Sequence, residues 1–313
     1  MRAFAVDAFG ERGSVHELPT PQPGEGEVLV RVKAASLNAF DWVVVQGYAK
    51  DYMEHRFPLT PGIDASGVIE AVGPNVGGVA VGDEVYGVSD KPFQGAGSLA
   101  QFLVTPATAV SPKPGTVDHV GAATLPVAAL TALSAVEAVY PREGQVVLVT
   151  GATGGVGSFA TQLLANRGAR VLAVAREENA DYARSLGADD TVDYTKGDLA
   201  DLVPARYPDG VDAVVDHTGD ADLVAKLVDL LRPDGAVVSV AGAVEVAAVG
   251  QRGLRGANVG RAPLGRLAEL SRMVEAGEVR IPATKTYALE DAAVALEEQG
   301  TRHVRGKLVL QID

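Results

Sequence analysis

The pattern of apolar and polar positions is clearest between residues 145 and 175, where it predicts a strand, a turn, a helix and a second strand. Residues 145–150 form a continuous β-branched run, typical of a parallel strand buried on both faces. A glycine-rich turn follows at 151–157. A segment of helical period, 158–167, then ends at Gly168 before the next apolar run, 170–175.

Different patterns flank this unit. Up to about Pro114 the segments are short, alternate in polarity and are separated by Gly and Pro, which is typical of an antiparallel β domain with no alternation of strand and helix. From about Asp118 strands are separated by helices, which indicates a doubly wound parallel sheet. The predicted fold class is α/β. Residues 1–117 and 261–313 form one domain, and residues 118–260 form a nucleotide-binding domain inserted into it.

Further elements follow from the same periodicities. Strands are predicted at residues 27–34, 67–72, 83–88, 100–104, 190–193, 213–216, 236–241, 257–260, 284–289 and 307–311. Helices are predicted at residues 179–186, 222–231, 263–276 and 290–299.

The glycine-rich turn is typical of an anion-binding site, because small residues let the backbone approach a pyrophosphate and the N–H groups at a helix start point toward its charge. The alternative is a tight turn without a ligand, but the strand before it and the helix after it favour dinucleotide binding. The predicted cofactor-binding residues of this turn are Ala152, Thr153, Gly154, Gly155, Val156 and Gly157.

Two related motifs do not fit the turn. A Walker loop needs Lys after its last Gly, where this chain has Ser158. Short-chain dehydrogenases have a similar turn near the N-terminus together with a Tyr-x-x-x-Lys pentapeptide, which this chain lacks.

The end of the second strand bears on the choice of dinucleotide. An acid there binds the ribose 2′-hydroxyl of NAD(H), whereas a base accepts the 2′-phosphate of NADP(H). Arg176 stands at this end and can contact a phosphate through its guanidinium group, so NADP(H) is favoured. Glu177 and Glu178 follow directly, so a strand end displaced by one residue would bring an acid closer, and Arg176 could also be an ordinary solvated charge.

Ligands of doubly wound sheets bind beyond the carboxyl ends of the strands. Thr218, Ala241 and Gly242 follow two predicted strands and are therefore candidates for cofactor contacts. The alternative is that they are plain turn residues.

Composition excludes several classes of function. The chain has 27 Lys and Arg against 40 Asp and Glu, a net charge of −13, which argues against a nucleic-acid or anionic-membrane partner. It has no cysteine, which excludes disulfides, thiolate metal sites and a Cys nucleophile and fits a reducing cytoplasm. We find no signal peptide, and the longest apolar tract, residues 121–136, is interrupted by Pro126 and is too short to span a membrane.

Nearly the whole chain resembles the zinc-independent quinone oxidoreductases of the medium-chain dehydrogenase/reductase superfamily. The resemblance rests on residues 38–41 (Asn-Ala-Phe-Asp) before Gly47, 61–67 (Pro-Gly-Ile-Asp-Ala-Ser-Gly), 81–87 (Val-Gly-Asp-Glu-Val-Tyr-Gly), 125–131 (Leu-Pro-Val-Ala-Ala-Leu-Thr), 151–157, 186–188 (Leu-Gly-Ala) and 305–309 (Arg-Gly-Lys-Leu-Val). It implies a GroES-like domain with an inserted Rossmann domain, and commonly a homodimer.

The resemblance also implies that no metal is bound. Zinc-dependent relatives hold a catalytic ion with a Cys and a His-Glu pair, and here Asn38 and Ile63-Asp64 stand at those positions. The five histidines lack ligand-like spacing: His16, His55, His119, His217 and His303.

Without a metal to stabilise an alkoxide, hydride transfer to a quinone or an α,β-unsaturated carbonyl is the more natural reaction. Asn38 matches the family position expected to polarise the acceptor through its amide; alternatively, it is a structural amide. Tyr48 is the second catalytic candidate, as a phenol donor or a ring wall. Many relatives carry a Tyr where this chain has Val43, so solvent could supply the proton, and Asp41 is expected to hold local backbone or Asn38.

Three more cofactor contacts are implied by the resemblance. Tyr194 matches a contact to the adenosine 2′-phosphate, Thr131 matches a contact on the nicotinamide side or helps start a helix, and Lys307 is a further phosphate neighbour. The predicted function is therefore that of a cytoplasmic NADPH-dependent quinone or enone reductase. The alternatives are an enoyl reductase acting on an acyl or polyketide intermediate, and a non-catalytic structural protein that retains the nucleotide site.

Overall fold

The computed structural model describes residues 1–313 and contains two compact units. The first unit comprises Met1–Val127 and Pro263–Asp313, and the second comprises Ala128–Ala262. The sequence placed the first boundary at residues 117/118. The difference arises because a short helix, His119–Ala123, packs on strands of the first unit.

Seventeen strands occur along the chain. They are β1 (Arg2–Ala5), β2 (Ser14–Glu17), β3 (Glu27–Ser36), β4 (Glu54–Thr60), β5 (Asp64–Val72), β6 (Glu84–Val88), β7 (Phe93–Ala96), β8 (Phe102–Pro106), β9 (Val110–Pro112), β10 (Val146–Val149), β11 (Arg170–Val174), β12 (Asp190–Val192), β13 (Val211–Asp216), β14 (Leu231–Ser239), β15 (Arg255–Asn258), β16 (Thr284–Ala288) and β17 (Lys307–Gln311).

Ten α-helices accompany them. They are α1 (Ala39–Val45), α2 (His119–Ala123), α3 (Pro126–Val139), α4 (Gly155–Asn166), α5 (Ala180–Ser185), α6 (Leu199–Leu202), α7 (Ala221–Val228), α8 (Val246–Gln251), α9 (Leu267–Glu275) and α10 (Ala292–Gly300). None of these helices combines the length and the apolar character that a membrane-spanning helix needs.

The first unit is built on a mostly antiparallel sheet. Its strands lie in the order β16-β17-β3-β5-β6-β9, and β8 pairs with β3. Only β16 and β17 pair in parallel in this sheet, which attaches the C-terminal tail to β3. Helices α1 and α10 pack together, and the adjoining core contains Phe4, Leu37, Leu59 and Leu308. The C-terminal segment belongs to the first unit because its apolar strand β17 pairs with β3.

The second unit is a six-stranded parallel sheet in the order β12-β11-β10-β13-β14-β15. This is the order of dinucleotide-binding sheets, with the reversal between β10 and β13. Strand β10 is buried at every position, as its unbroken apolar sequence predicts. The glycine-rich turn lies at its carboxyl end, at the point of reversal.

Helices α1 and α7 are among the elements that differ from the sequence prediction. Helix α1 lies in the part of the chain where the polarity pattern predicts strands only, and that prediction is wrong for residues 39–45. Its start carries a short capping signal, in which the Asp41 carboxylate accepts a hydrogen bond from the Asn38 N–H at 2.7 Å. Helix α7 ends at Val228, and Leu231 already belongs to β14.

Candidate functional site

The glycine-rich turn of the second unit presents backbone donors. Gly154 is the N-cap of α4, and Gly155, Val156 and Gly157 form its first turn. The first N–H groups of a helix have no partner within it. They carry the positive end of the helix dipole, so this turn can bind the phosphates of a dinucleotide.

Gly157 is required by close packing. A Cβ atom at this position would lie 2.1 Å from the Gly151 carbonyl oxygen, so any side chain would push α4 away from the turn. Ala152, also predicted in this site, is fully buried. The local pattern of small residues thus reflects the contact between α4 and the end of β10.

Asp216, at the end of β13, organises the same edge of the sheet. Its Oδ1 atom accepts hydrogen bonds from the Thr150 hydroxyl at 2.8 Å and from the Thr218 hydroxyl and N–H at 2.6 and 3.0 Å. Its Oδ2 atom accepts from the Ser239 hydroxyl at 2.8 Å and the Gly219 N–H at 3.1 Å. Burial raises the pKa of Asp216, but these donors outweigh burial and hold the pKa below its usual value.

We expect Asp216→Asn to lower the free energy of unfolding by about 2 kcal/mol, because its NH₂ group must face one of these sets of donors. Urea denaturation at pH 7 measures the loss, and Asp234→Asn, at an exposed position of β14, is the matched control. The lowered pKa gives a stabilisation that is complete above the unfolded-state value of about 4 and is lost below it. The difference in unfolding free energy between wild type and Asp216→Asn should therefore become smaller in acid. A difference that does not change with pH would contradict the lowered pKa of Asp216.

Ala241 and Gly242, two further predicted cofactor contacts, follow β14 close to Asp216. The Ala241 N–H donates to the Ser239 hydroxyl at 3.1 Å, and a Cβ atom on Gly219 would lie 2.7 Å from the Ala241 side chain. The structure thus brings Thr218 and Ala241 to one edge, and Gly242 follows with a φ of +81°. Thr131 is buried within α3 of the same unit.

His217 adds a buried acceptor next to the turn. Its Nδ1 atom lies 2.8 Å from the Thr150 carbonyl oxygen, to which it donates, and burial lowers its pKa. Its Nε2 atom is buried without a protein partner. A donor group of a bound nucleotide would satisfy this atom, so the residues around the turn fit a dinucleotide.

Arg176 and Tyr194 lie together, as expected if both contact one phosphate. The Arg176 Nε–H donates to the Tyr194 hydroxyl at 2.9 Å. The guanidinium is also 3.7 Å from Glu178, and its side chain is 36% exposed. It can therefore reach a ligand at the surface, with an acid close by. The phosphate contact stays a prediction.

Asn38, in the first unit, is held from both ends of its carboxamide. The Lys307 ammonium donates to Asn38 Oδ1 at 2.6 Å, and Asn38 Nδ2 donates to Asp64 Oδ2 at 3.0 Å. Asp64 in turn accepts from the Ser36 hydroxyl at 3.1 Å and the Val127 N–H at 2.9 Å. We call Asn38, Asp64 and Lys307 the amide cluster.

The structure places Lys307 among protein acceptors, and its expected role as a phosphate neighbour stays a prediction. Lys307 is buried in the first unit, and its ammonium contacts the Leu37 carbonyl at 2.8 Å in addition to Asn38 and Asp64. These three acceptors match the three N–H groups of an ammonium. No local pattern indicates this contact, because Lys307 and Asn38 are 269 positions apart.

Tyr48 lies apart from the amide cluster. Its side chain is 65% exposed, and its ring centroid lies 5.6 Å from that of Trp42. The structure thus makes Tyr48 available to a ligand without joining it to Asn38. Asp41 holds the local backbone, as predicted, through its hydrogen bond from the Asn38 N–H.

Burial raises the pKa of Asp41 to about 7 from 3.8. The folded chain therefore keeps this carboxyl protonated at pH values where the unfolded chain has lost the proton, and unfolding releases it. This stabilisation is complete below about pH 4 and is lost as pH rises to about 7, so stability falls by up to about 1.4 kcal/mol per pH unit.

We expect Asp41→Asn, which has no carboxyl to ionise, to lack this fall. Urea denaturation at several pH values between about 4.5 and 7 compares the variant with wild type. The upper limit is the pKa of Asp41, which is about 7. Asp51→Asn, at an exposed position, should keep the wild-type slope. Parallel pH curves for wild type and Asp41→Asn would contradict the assignment.

No group of three or more His, Cys, Asp or Glu side chains is arranged to hold a metal ion. At the positions where the family resemblance places the zinc ligands of metal-dependent relatives, this chain has Ile63 and two polar side chains, the amide of Asn38 and the carboxylate of Asp64. Both contact the Lys307 ammonium.

Comparisons with known proteins place both halves of the chain among dehydrogenases. Residues 24–115 match the alcohol dehydrogenase GroES-like domain, and residues 186–310 match a family described as zinc-binding dehydrogenase. The chain is 34% identical over 298 residues to an NADPH-dependent alkenal/one oxidoreductase of Arabidopsis thaliana, covering 93% of this chain and 73% of that protein.

Solved structures are similar over the full length. An NAD-dependent alcohol dehydrogenase superposes with a TM-score of 0.90 at 33% identity, covering 100% of both chains. The quinone oxidoreductase of Coxiella burnetii gives 0.89 at 30% identity, covering 100% of this chain and 99% of that one. The CurK enoyl reductase gives 0.88 at 26% identity, again covering 100% and 99%.

Proposed function

Because the chain belongs to the quinone oxidoreductase-like family of the medium-chain dehydrogenase/reductase superfamily, whose members are nicotinamide-dependent oxidoreductases, we propose that it reduces quinones or α,β-unsaturated carbonyl compounds with NADPH and without a catalytic metal. The observation that carries the proposal is the amide cluster, in which a half-buried carboxamide contacts a cation and a carboxylate at a position that the family resemblance assigns to a metal ligand in metal-dependent relatives.

The second unit supports the choice of cofactor. The helix start at Gly154 offers N–H groups to a pyrophosphate, and the Arg176–Tyr194 pair offers a guanidinium and a hydroxyl to a 2′-phosphate. The bound, reduced nicotinamide ring supplies the hydride. The protein must bind the dinucleotide and exclude water from the ring.

Asn38 supports the choice of acceptor. When a conjugated carbonyl receives hydride on carbon, negative charge develops on its oxygen, and a fixed N–H donor stabilises that charge more in the transition state than in the ground state. One N–H of Asn38 Nδ2 is used by Asp64, and an amide has a second. This second N–H is the proposed donor to the acceptor oxygen. Solvent delivers the proton to the product.

The ammonium of Lys307 supports metal-independent chemistry. It contacts the two side-chain oxygens, Asn38 Oδ1 and Asp64 Oδ2, that a metal ion at these positions would need. A divalent ion would have to displace a buried cation that is already paired. The positive charge behind the acceptor site is thus provided by the chain itself.

The test is an acceptor panel with purified protein. NADPH oxidation is followed with a simple quinone, an enal and an enoyl thioester. The same assays are repeated with NADH in place of NADPH. The proposal predicts turnover of the quinone or the enal with NADPH. Preferred turnover of the thioester would instead favour an enoyl reductase, the candidate supported by the similarity to CurK. Nucleotide binding without consumption across the panel would favour a structural protein. A homodimer in the cytoplasm stays a prediction of the same proposal.

A further inference from the structure

Lys307 is an unusual residue to find at the start of an apolar strand. It opens β17 and is 3% exposed, and its ammonium is surrounded by the Leu37 carbonyl, Asn38 Oδ1 and Asp64 Oδ2 at 2.8, 2.6 and 3.5 Å. Burying an ammonium is costly unless it is paired and hydrogen-bonded. A lysine that only completed the sheet could be replaced by an apolar residue at no such cost, so the contacts to Asn38 and Asp64 require an explanation.

The cluster fixes which way the Asn38 carboxamide points. The ammonium has only donors and the Asp64 carboxylate has only acceptors. Asn38 must therefore turn Oδ1 toward Lys307 and Nδ2 toward Asp64, as observed. The reverse orientation would face the amide N–H groups with a cation and the amide oxygen with an anion. The second Nδ2–H consequently has one fixed direction.

The charge of Lys307 also acts through the amide. A cation on the carbonyl oxygen draws electron density from the nitrogen and strengthens its N–H groups as donors, and the effect is larger in a buried environment than in water. Asp64 partly balances this charge and is itself held by Ser36 and by the Val127 N–H. The protonatable groups around the amide are thus Lys307 on β17, Asp64 on β5 and Asp41 on α1.

We propose that Lys307 and Asp64 are positioning residues, which orient the Asn38 carboxamide and polarise it so that its free N–H binds the oxygen of the acceptor. The inference rests on the proposed function and deepens it. It assigns to two residues outside the cofactor site a role in transition-state stabilisation, which acts through Asn38.

The experiment compares Lys307→Gln with the double variant Lys307→Gln/Asp64→Asn. The single variant leaves the Asp64 carboxylate buried without its cation and can lose stability, whereas the double variant removes both charges together. A purely structural ion pair predicts that the double variant recovers activity. The positioning role predicts that kcat for the quinone or enal stays roughly tenfold to 100-fold below wild type, while the dissociation constant of NADPH is unchanged. Lys285→Gln, an exposed position on the neighbouring strand β16, is the matched control.

A second readout does not depend on turnover. In protein labelled with ¹⁵N at asparagine, the side-chain amide signal of Asn38 is assigned by its disappearance in Asn38→Asp. The Nδ2 proton that is hydrogen-bonded to Asp64 should exchange slowly with solvent in wild type and faster in the double variant. An unchanged Asn38 signal, or a folded double variant with kcat within about threefold of wild type, would overturn the inference. If wild type turned over no acceptor, the proposed function would fail, and the amide signal would still decide whether Lys307 and Asp64 orient Asn38.

Discussion

Asn38→Ala is expected to lower kcat for quinone or enal reduction by about 100- to 1,000-fold, the usual effect of removing one donor to a developing oxyanion. The loss follows because the Asn38 amide is held between Lys307 and Asp64 and no other side chain of the cluster has a free N–H for the acceptor. The dissociation constant of NADPH should not change, since the glycine-rich turn and Arg176 lie in the second unit. Steady-state kinetics and a fluorescence titration with NADPH measure the two quantities.

Asn38→Asp is the matched variant. It keeps the size of the side chain but replaces the N–H donor by an oxygen, so kcat should fall at least as far as in Asn38→Ala. Asn75→Asp, at an exposed turn, should behave as wild type. An Asn38→Asp enzyme with normal kcat would show that Asn38 serves local geometry only.

Arg176→Ala is expected to weaken NADPH binding by about 10- to 150-fold and to leave NADH binding unchanged. Charge-assisted hydrogen bonds contribute about 1.5–3 kcal/mol each, and only NADPH carries the 2′-phosphate that would accept them. Removal of the guanidinium also leaves Glu178 without its partner at 3.7 Å, which adds repulsion toward the phosphate. KM values for both nucleotides, at a fixed concentration of acceptor, give the change in preference.

Tyr194→Phe and Arg184→Ala define the specificity of this effect. Tyr194→Phe removes the hydroxyl that contacts the Arg176 Nε–H at 2.9 Å and should weaken NADPH binding to a smaller extent. Arg184 lies on α5 in an exposed ion pair with Asp181, and its replacement should change the binding of neither NADPH nor NADH. Equal effects of Arg176→Ala on NADPH and NADH would contradict the assignment of Arg176 to the phosphate.

The nucleotide-binding unit could be predicted because its signals are local. A buried parallel strand, a glycine turn and an amphipathic helix each lie within one short stretch, and strand β10 with helix α4 follows that pattern closely. Arg176 and Tyr194 were found separately, one from the strand end and the other from the family resemblance, and they come together because β11 and β12 are neighbours.

The rest of the site depends on contacts between distant parts of the chain. Lys307 reaches Asn38 only because the tail adds β17 next to β3, and no local pattern contains that pairing. Asp216 carried a usable signal, since an acid that ends an apolar strand at the point of strand reversal is placed to bind neighbouring loops. Helix α1 also carried a usable sequence signal, the Asn-x-x-Asp spacing at its start, which is typical of a helix N-terminus.

The most direct test of the account is the NADPH-dependent reduction of a quinone and an enal by protein from which metal ions have been removed with a strong chelator. Metal content is measured on the same sample. The account predicts full turnover by the metal-depleted protein, no gain on adding zinc, and loss of that turnover in Asn38→Ala. Turnover that requires zinc bound in a one-to-one ratio, or a wild-type protein that binds neither NADPH nor NADH, would contradict it.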